Sequence, residues 1–189
     1  AALSNDTNMI EAFNQGEDIH KATAAKVFNV PIEEVSKDMR SKAKAVNFGI
    51  IYGQGPFGLA QNLGISRTEA KNIIDAYYTQ FSALKEYQQK AVELAREKGY
   101  VETVLGRRRY LPDITSSNAV VRSFAERNAV NAPIQGSAAD IIKLAMIKIQ
   151  DELLKAKFKS RMVLQVHDEL VFDAEKSEVE ALFKLVKEN

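Results

Sequence analysis

A chain of 189 residues with 46% apolar and 27% charged side chains has the composition of folded globular domains, about 45–50% apolar and about 25% charged, so disorder is excluded as its bulk state and the length allows one or two compact units. With 26 Lys+Arg against 25 Asp+Glu, a uniformly basic nucleic-acid binder is excluded, and any such surface must be built by segregating charge. The absence of cysteine excludes a disulfide framework and thiolate metal sites, while no run reaches the roughly 18 apolar residues of a membrane span and the first residues lack the basic, apolar, small-residue succession of a secretory signal.

In chain order the pattern is mostly helical. Residues 1–15 begin without a cap, and Asp18 can cap a helix running to about Phe28. Pro31 suits the first turn of the next helix, expected over 33–51. Gly53, Gly55 and Gly58 follow; they match no phosphate-binding fingerprint and read as a turn and hinge. Ser66-Arg67-Thr68-Glu69 is a capping box ahead of the periodic Ile73, Ile74, Tyr77 and Tyr78, and Gly99 closes a helix that starts near Ser82.

Two segments break the helical period. Residues 100–103 and 108–111 flank Leu105-Gly106 as a small hairpin, with Arg107, Arg108 and Arg109 expected at its turn. Residues 161–173 form two β-rich runs around His167-Asp168, which places a carboxylate at the tip of a tight antiparallel turn. Val179, Leu182, Phe183 and Val186 then mark an amphipathic helix that simply stops. Both ends read as cut, so the chain is expected to be a piece of something longer.

Arg40, Lys44, Phe48 and Tyr52 recur every four residues and share one stripe, while Ala43, Val46 and Ile50 point elsewhere. The stripe is cationic at one end and flat at the other, an order that suits a polyphosphate followed by a nucleobase. The same spacing also fits a solvated basic face whose aromatics turn into a core. His20, in the first turn after Asp18, could add a donor to phosphate beside free helix amides, or be an ordinary surface histidine. Arg127, Asn131 and Gln135 are again four apart, but Pro133 is expected to break any helix between them and leave them at an irregular corner. Such side chains can read groove acceptors or simply bond between helices.

Asp168 and Glu169 are the strongest chemical candidates, since a strand turn aims a carboxylate rigidly and Mg²⁺ requires hard oxygen ligands. One turn cannot build a two-metal site, and no other strand here offers a second Asp; unaided, the pair could be turn polarity alone. A rival from another class is a helix-turn-helix DNA reader over 59–75, with Gly64 in the turn and Arg67 and Lys71 toward phosphates. Two ordinary helices around a glycine satisfy that pattern too.

In combination, Arg40-x3-Lys44-x7-Tyr52-Gly53 resembles motif B of family A DNA polymerases, and Gln165-Val166-His167-Asp168-Glu169 resembles their motif C. Residues 100–112 and 126–140 resemble the segments that connect those motifs in bacterial members, so the likeness spans nearly the whole chain. The resemblance implies an α+β, mostly helical fold: connecting helices over 1–30, fingers over 31–99, and an incomplete antiparallel palm sheet within 100–189. It implies that Arg40, Lys44 and His20 hold an incoming dNTP, that Phe48 packs on its sugar and base, and that Tyr52 shapes the insertion site. Arg127, Asn131 and Gln135 would touch primer-template DNA near its minor groove, with His167 near the primer end. Asp168 would bind catalytic Mg²⁺ in a two-ion site with Glu169 beside it, one ion activating the primer 3′-hydroxyl and the other steadying pyrophosphate, which Lys44 neutralises or protonates.

Motif A, with the second metal-bridging Asp, lies outside these residues, so the chain alone is expected to extend no primer and to associate with itself through the uncovered palm sheet, where Val163, Leu164, Leu170 and Phe172 lack cover. The resemblance also implies the cytoplasm of a bacterium and no membrane partner. The nearest relative reading is a single-subunit RNA polymerase, against which Phe48 and Glu169 speak.

Overall fold

The structure is a computed structural model that describes residues 1–189. The chain divides into two compact units, one of 1–102 and 108–134, the other of 103–107 and 135–189.

The first unit is a helical assembly. After a 3₁₀ turn, α1 (Thr7–Asn14) begins at Asp6, whose buried carboxylate accepts from the Met9 amide at 3.0 Å; the N-terminal segment thus does carry a cap, contrary to expectation. Helix α2 (Ile19–Phe28) is capped by Asp18 as its sequence predicts, through the Lys21 amide at 3.1 Å. Helix α3 (Lys37–Ile51) starts four residues later than expected. Pro31 and the two glutamates after it form a separate 3₁₀ turn (Ile32–Glu34), and Ser36 caps the α-helix through the Met39 amide at 3.2 Å. Two wholly buried alanines, Ala24 of α2 and Ala43 of α3, let these helices lie close together.

Helices α4 (Pro56–Leu63) and α5 (Arg67–Gln80) are separated by Gly64 in the left-handed region, and the Ser66/Glu69 capping box is complete in both directions. Helix α6 (Ser82–Lys98) ends at Gly99. Met9, Val46, Ile50, Leu59, Ile74 and Phe81 close the core these helices share. Leu59 and Ala70, the residues behind the helix-turn-helix reading, are buried in that core, and Lys71 is paired with Asp75 at 2.9 Å.

Strands β1 (Tyr100–Glu102) and β2 (Arg108–Tyr110) pair antiparallel. Of the arginine run only Arg107 belongs to the connecting loop; Arg108 and Arg109 lie in β2, with Arg108 ion-paired to Glu102 at 2.9 Å. Val101, Leu111, Ile114, Ala125 and Ala129 form a second core.

Helix α7 (Ala119–Lys155) runs 37 residues through Pro133, which corrects the expected break. Proline removes one backbone bond and crowds the preceding turn, at a cost of about 3 kcal/mol. Burial on both flanks outweighs that cost: Ala125 and Ala129 are locked in the second core, Ile149 and Leu153 in a third.

In the second unit, β3 (Arg161–Val166) and β4 (Glu169–Asp173) make the expected two-stranded hairpin, with a bulge between Met162 and Leu164. Leu170 and Phe172 pack on Ile149, Leu153 and Leu182, so these two do have cover, whereas Val163, Leu164, Val166 and Val171 are exposed. Helix α8 (Val179–Glu188) turns inward by Leu182, Leu185 and Val186; Val179 and Phe183 stay outside, so the buried stripe is rotated from the one predicted.

One carboxylate ties this unit's connections together. Glu178 accepts from the amides of Lys159 and Ser160 and from the Ser160 hydroxyl at 2.7 Å, while that hydroxyl accepts from the Glu175 amide. The hydroxyl bond, then the amides, hold its pKa below the ordinary glutamate value. Stabilisation from this group is therefore whole above the unfolded value, about 4.3, and is lost as pH falls through the lower folded one. Thermal melts of Glu178→Gln should show a clear deficit against the parent at neutral pH that narrows on acidification through this range; a gap independent of pH would contradict the assignment.

Candidate functional site

Helix α3 has two faces of opposite character. Ala43, Val46 and Ile50 are completely buried, which fixes the rotation of the helix and turns Arg40, Lys44 and Phe48 outward, with Tyr52 half-buried at its C-terminal cap. Both ends are secured. Ser36 holds the first turn, and Gln88 of α6 holds the last: its Nε2 donates to the carbonyls of Ile50 and Ile51 at 2.9 and 3.1 Å, and its Oε1 accepts from the Tyr78 hydroxyl at 2.6 Å. These are carbonyls that a helix end leaves without internal partners.

The stripe predicted from spacing is a physical cluster. Phe48 and Tyr52 stack with centroids 6.0 Å apart and an interplanar angle of 23°, and Lys44 Nζ lies 5.8 Å from the Phe48 centroid. His20, from α2, meets the same ring at 5.8 Å. Arg40 is joined to it through Asp18, whose Oδ1 caps α2 and whose Oδ2 accepts from Arg40 Nε at 2.6 Å. The Arg40 bond, foremost, holds the Asp18 carboxyl below its ordinary pKa. The His20 imidazole is pushed down, first by burial and then by the positive charges of Arg40 and Lys44, against the pull of Asp18.

Two residues in this cluster escape a reading by spacing. Asn47 is buried and bonds to His20 Nδ1 at 2.9 Å, and the Thr23 hydroxyl donates to Asn47 Oδ1 at 2.9 Å. A polar residue at 47, on the face marked by Ala43, Val46 and Ile50, was the legible anomaly; its partners, 24 and 27 residues away, left no trace in the sequence.

The turn after α3 has a defined shape. Gly53 takes φ +73°, and a β-carbon there would sit 3.5 Å from Cγ of Arg127. The Gln54 side chain fills the space left open by Gly49 and Gly58. The turn borders an open cleft of about 560 Å³ whose lining includes Tyr78, Gln88, Arg96 and Arg127. Arg127 donates to Ser123 at 3.0 Å and covers Phe124, and Asn131 Oδ1 is buried without a hydrogen-bond partner.

The second unit holds the acidic turn. His167 and Asp168 are the two residues between β3 and β4, and His167 takes φ +55°, a left-handed conformation uncommon outside glycine. Gln165 braces it by donating to the His167 carbonyl at 2.8 Å. Asp168 and Glu169 are exposed, adjacent oxygen donors of the kind Mg²⁺ takes, but nowhere do three or more His, Asp or Glu side chains gather closely enough to hold an ion. The turn thus fits a share of a magnesium site. Gln135 lies exposed on α7. Nearby, Arg107 donates through Nε to the buried Asp140 at 2.6 Å and through Nη2 to the Gly136 carbonyl at 3.0 Å, fastening the β1–β2 loop to that helix.

Comparison with known proteins covers the entire chain. The model of DNA polymerase family A matches residues 1–189. The chain is 55% identical over 188 residues to DNA polymerase I of Geobacillus stearothermophilus, which takes in all of this chain and 22% of that protein. It is also 55% identical to DNA polymerase I of Bacillus subtilis, over all of this chain and 21% of that one. A solved structure, the POL domain of Pol1 from M. smegmatis in complex with DNA primer-template and dNTP, matches with a TM-score of 0.92 at 50% identity, covering 98% of this chain and 33% of that one. The chain spans about a fifth of the length of the curated relatives it matches.

Proposed function

We propose that this chain, which belongs to DNA polymerase family A, forms the fingers and part of the palm of a DNA-directed DNA polymerase that adds deoxynucleotides to a primer 3′-hydroxyl on a DNA template. The connecting helices are 1–30, the fingers 31–99 and the partial palm 100–189. The observation that carries this reading is the α3 cluster: Arg40, Lys44 and Phe48 exposed in order along a helix whose other face is sealed, with Tyr52 half-buried at its cap and His20 brought to the Phe48 ring. Arg40 commits only Nε to Asp18, which leaves its other nitrogens for phosphate oxygens.

In this reading the triphosphate of a dNTP lies along Arg40, Lys44 and His20, whose donors match its acceptors and charge. Phe48 packs against sugar and base, and Tyr52 shapes the insertion site beside the template. Lys44 neutralises or protonates the departing pyrophosphate. Arg127, Asn131 and Gln135 contact the primer-template duplex by its minor groove, where acceptors shared by all base pairs report shape, and His167 serves the primer end. Mg²⁺ would be held by Asp168 with Glu169 beside it, together with a carboxylate that these 189 residues do not supply. Such a pair of ions supplies charge neutralisation for in-line phosphoryl transfer. No helix is long and apolar enough to cross a membrane, and we place the protein in the bacterial cytoplasm.

Titration of the purified chain with dTTP tests the cluster. Lys44→Ala removes one charge-assisted contact, of about 1.5–3 kcal/mol, and should weaken binding roughly 10- to 100-fold; unchanged affinity would rule out the phosphate role. The same preparation should incorporate no nucleotide on a primed template with Mg²⁺, and measurable extension would show that the second carboxylate is dispensable.

We further propose that the isolated chain self-associates through the face bearing Val163, Leu164, Val166 and Val171, which has no layer over it. Sedimentation should show mass rising with concentration, and Val163→Lys with Leu164→Lys should restore the monomer. A monomer at every concentration would refute this.

A further inference from the structure

We propose that Asn47 and Thr23 act as a tautomer clamp, holding the His20 imidazole neutral with its proton on Nε2, so that the start of α2 offers a bound nucleotide a hydrogen-bond donor rather than a third positive charge. The proposal rests on the nucleotide reading above and adds two positioning residues to it.

The argument follows the direction of each hydrogen bond. The Thr23 hydroxyl, inside α2 and almost fully buried, donates to Asn47 Oδ1 at 2.9 Å. In the structure the amide thus presents Oδ1 to Thr23 and Nδ2 to His20 Nδ1, the latter at 2.9 Å. An amide NH₂ can only donate. Nδ1 must therefore present its lone pair, and a neutral ring with a lone pair on Nδ1 carries its hydrogen on Nε2. Asn47 is 1% exposed, so water cannot take over either bond, and a mispaired amide would leave buried polar atoms unsatisfied.

The surrounding charges make the neutral form the useful one. Facing the ring are Asp18 from the start of its own helix, Arg40 and Lys44 from α3, and the Phe48 ring. Two fixed cations already line this face. A protonated imidazole would need the Asn47 amide to turn over and the Thr23 hydroxyl to change from donor to acceptor, and would then stand as a third cation beside Arg40 and Lys44. Burial and those same two cations oppose this. A neutral Nε2–H costs none of that repulsion and still gives a phosphate oxygen a partner.

The chain has two histidines, so long-range ¹⁵N–¹H correlation of the ring nitrogens yields two readable patterns from the unmodified protein. At neutral pH one of them, assigned through loss in His20→Ala, should be a single Nε2–H tautomer with unprotonated Nδ1. Thr23→Val, which frees the amide to turn, should convert it to a mixture in which Nδ1 is protonated. Titration with dTTP supplies the second readout. His20→Ala should weaken binding about tenfold, and His20→Gln, which restores a neutral donor, should recover most of the loss.

An Nδ1–H or doubly protonated ring in the unmodified chain overturns the clamp, whatever the nucleotide affinity. An Nε2–H ring in a chain that binds no dTTP overturns instead the nucleotide reading and the donor role with it, while the tautomer stands.

Discussion

The complete burial of one face of α3 is the constraint on which the rest depends. Ala43, Val46 and Ile50 have no exposure at all, and a helix sealed that tightly has no freedom to rotate about its axis, because cores are packed to crystal-like density. The opposite face is then determined. Arg40, Lys44 and Phe48 reach solvent in a fixed order not because they attract one another but because the other side of the cylinder is taken. Gln88 and Ser36 add the remaining restraint, at the two ends where a helix frays.

Charge economy follows from the same arrangement. A chain with a net charge of +1 cannot hold polyanions by bulk attraction, so its cations must be gathered and its anions given other tasks. Asp18 shows how this is done: one oxygen caps α2 and the other steadies Arg40. The carboxylate nearest the cluster thereby organises it, leaving two further nitrogens of the guanidinium and the Lys44 ammonium, set beside the Phe48 ring, without a carboxylate partner. In the second unit Asp140 does similar work for Arg107.

How much of this could be read from the residues depended on the range of each interaction. The Asp18 cap, the Ser66/Glu69 box and the Gly99 stop are set by residues within four or five positions of one another and both hairpins by partners within a dozen, and each is legible. The α3 stripe was legible for the same reason, since four-residue spacing is helix geometry. The beginning of α3 was misplaced because Pro31 is a stronger helix-start signal than Ser36, and only the structure shows a 3₁₀ turn between them. Pro133 was misjudged because the local penalty is visible in sequence and the burial that overcomes it is not. Gln88 and Thr23 reach partners 38 and 24 residues away, and no local pattern encodes such a meeting. The stripe and the acidic turn fall in separate units, and their spacing along the chain says nothing of distance.

The peg formed by Gln54 carries a lesson about how such a corner can evolve. Its carboxamide occupies room that two glycines, at 49 and 58, keep vacant on either side. Three positions therefore meet at one side chain: a methyl group at 49 or 58 makes the free end of the peg swing aside, and a shorter peg empties a void that an alanine could then fill. Change at either glycine is thus absorbed by the movable end of one side chain, so that the corner couples three positions through a single flexible group.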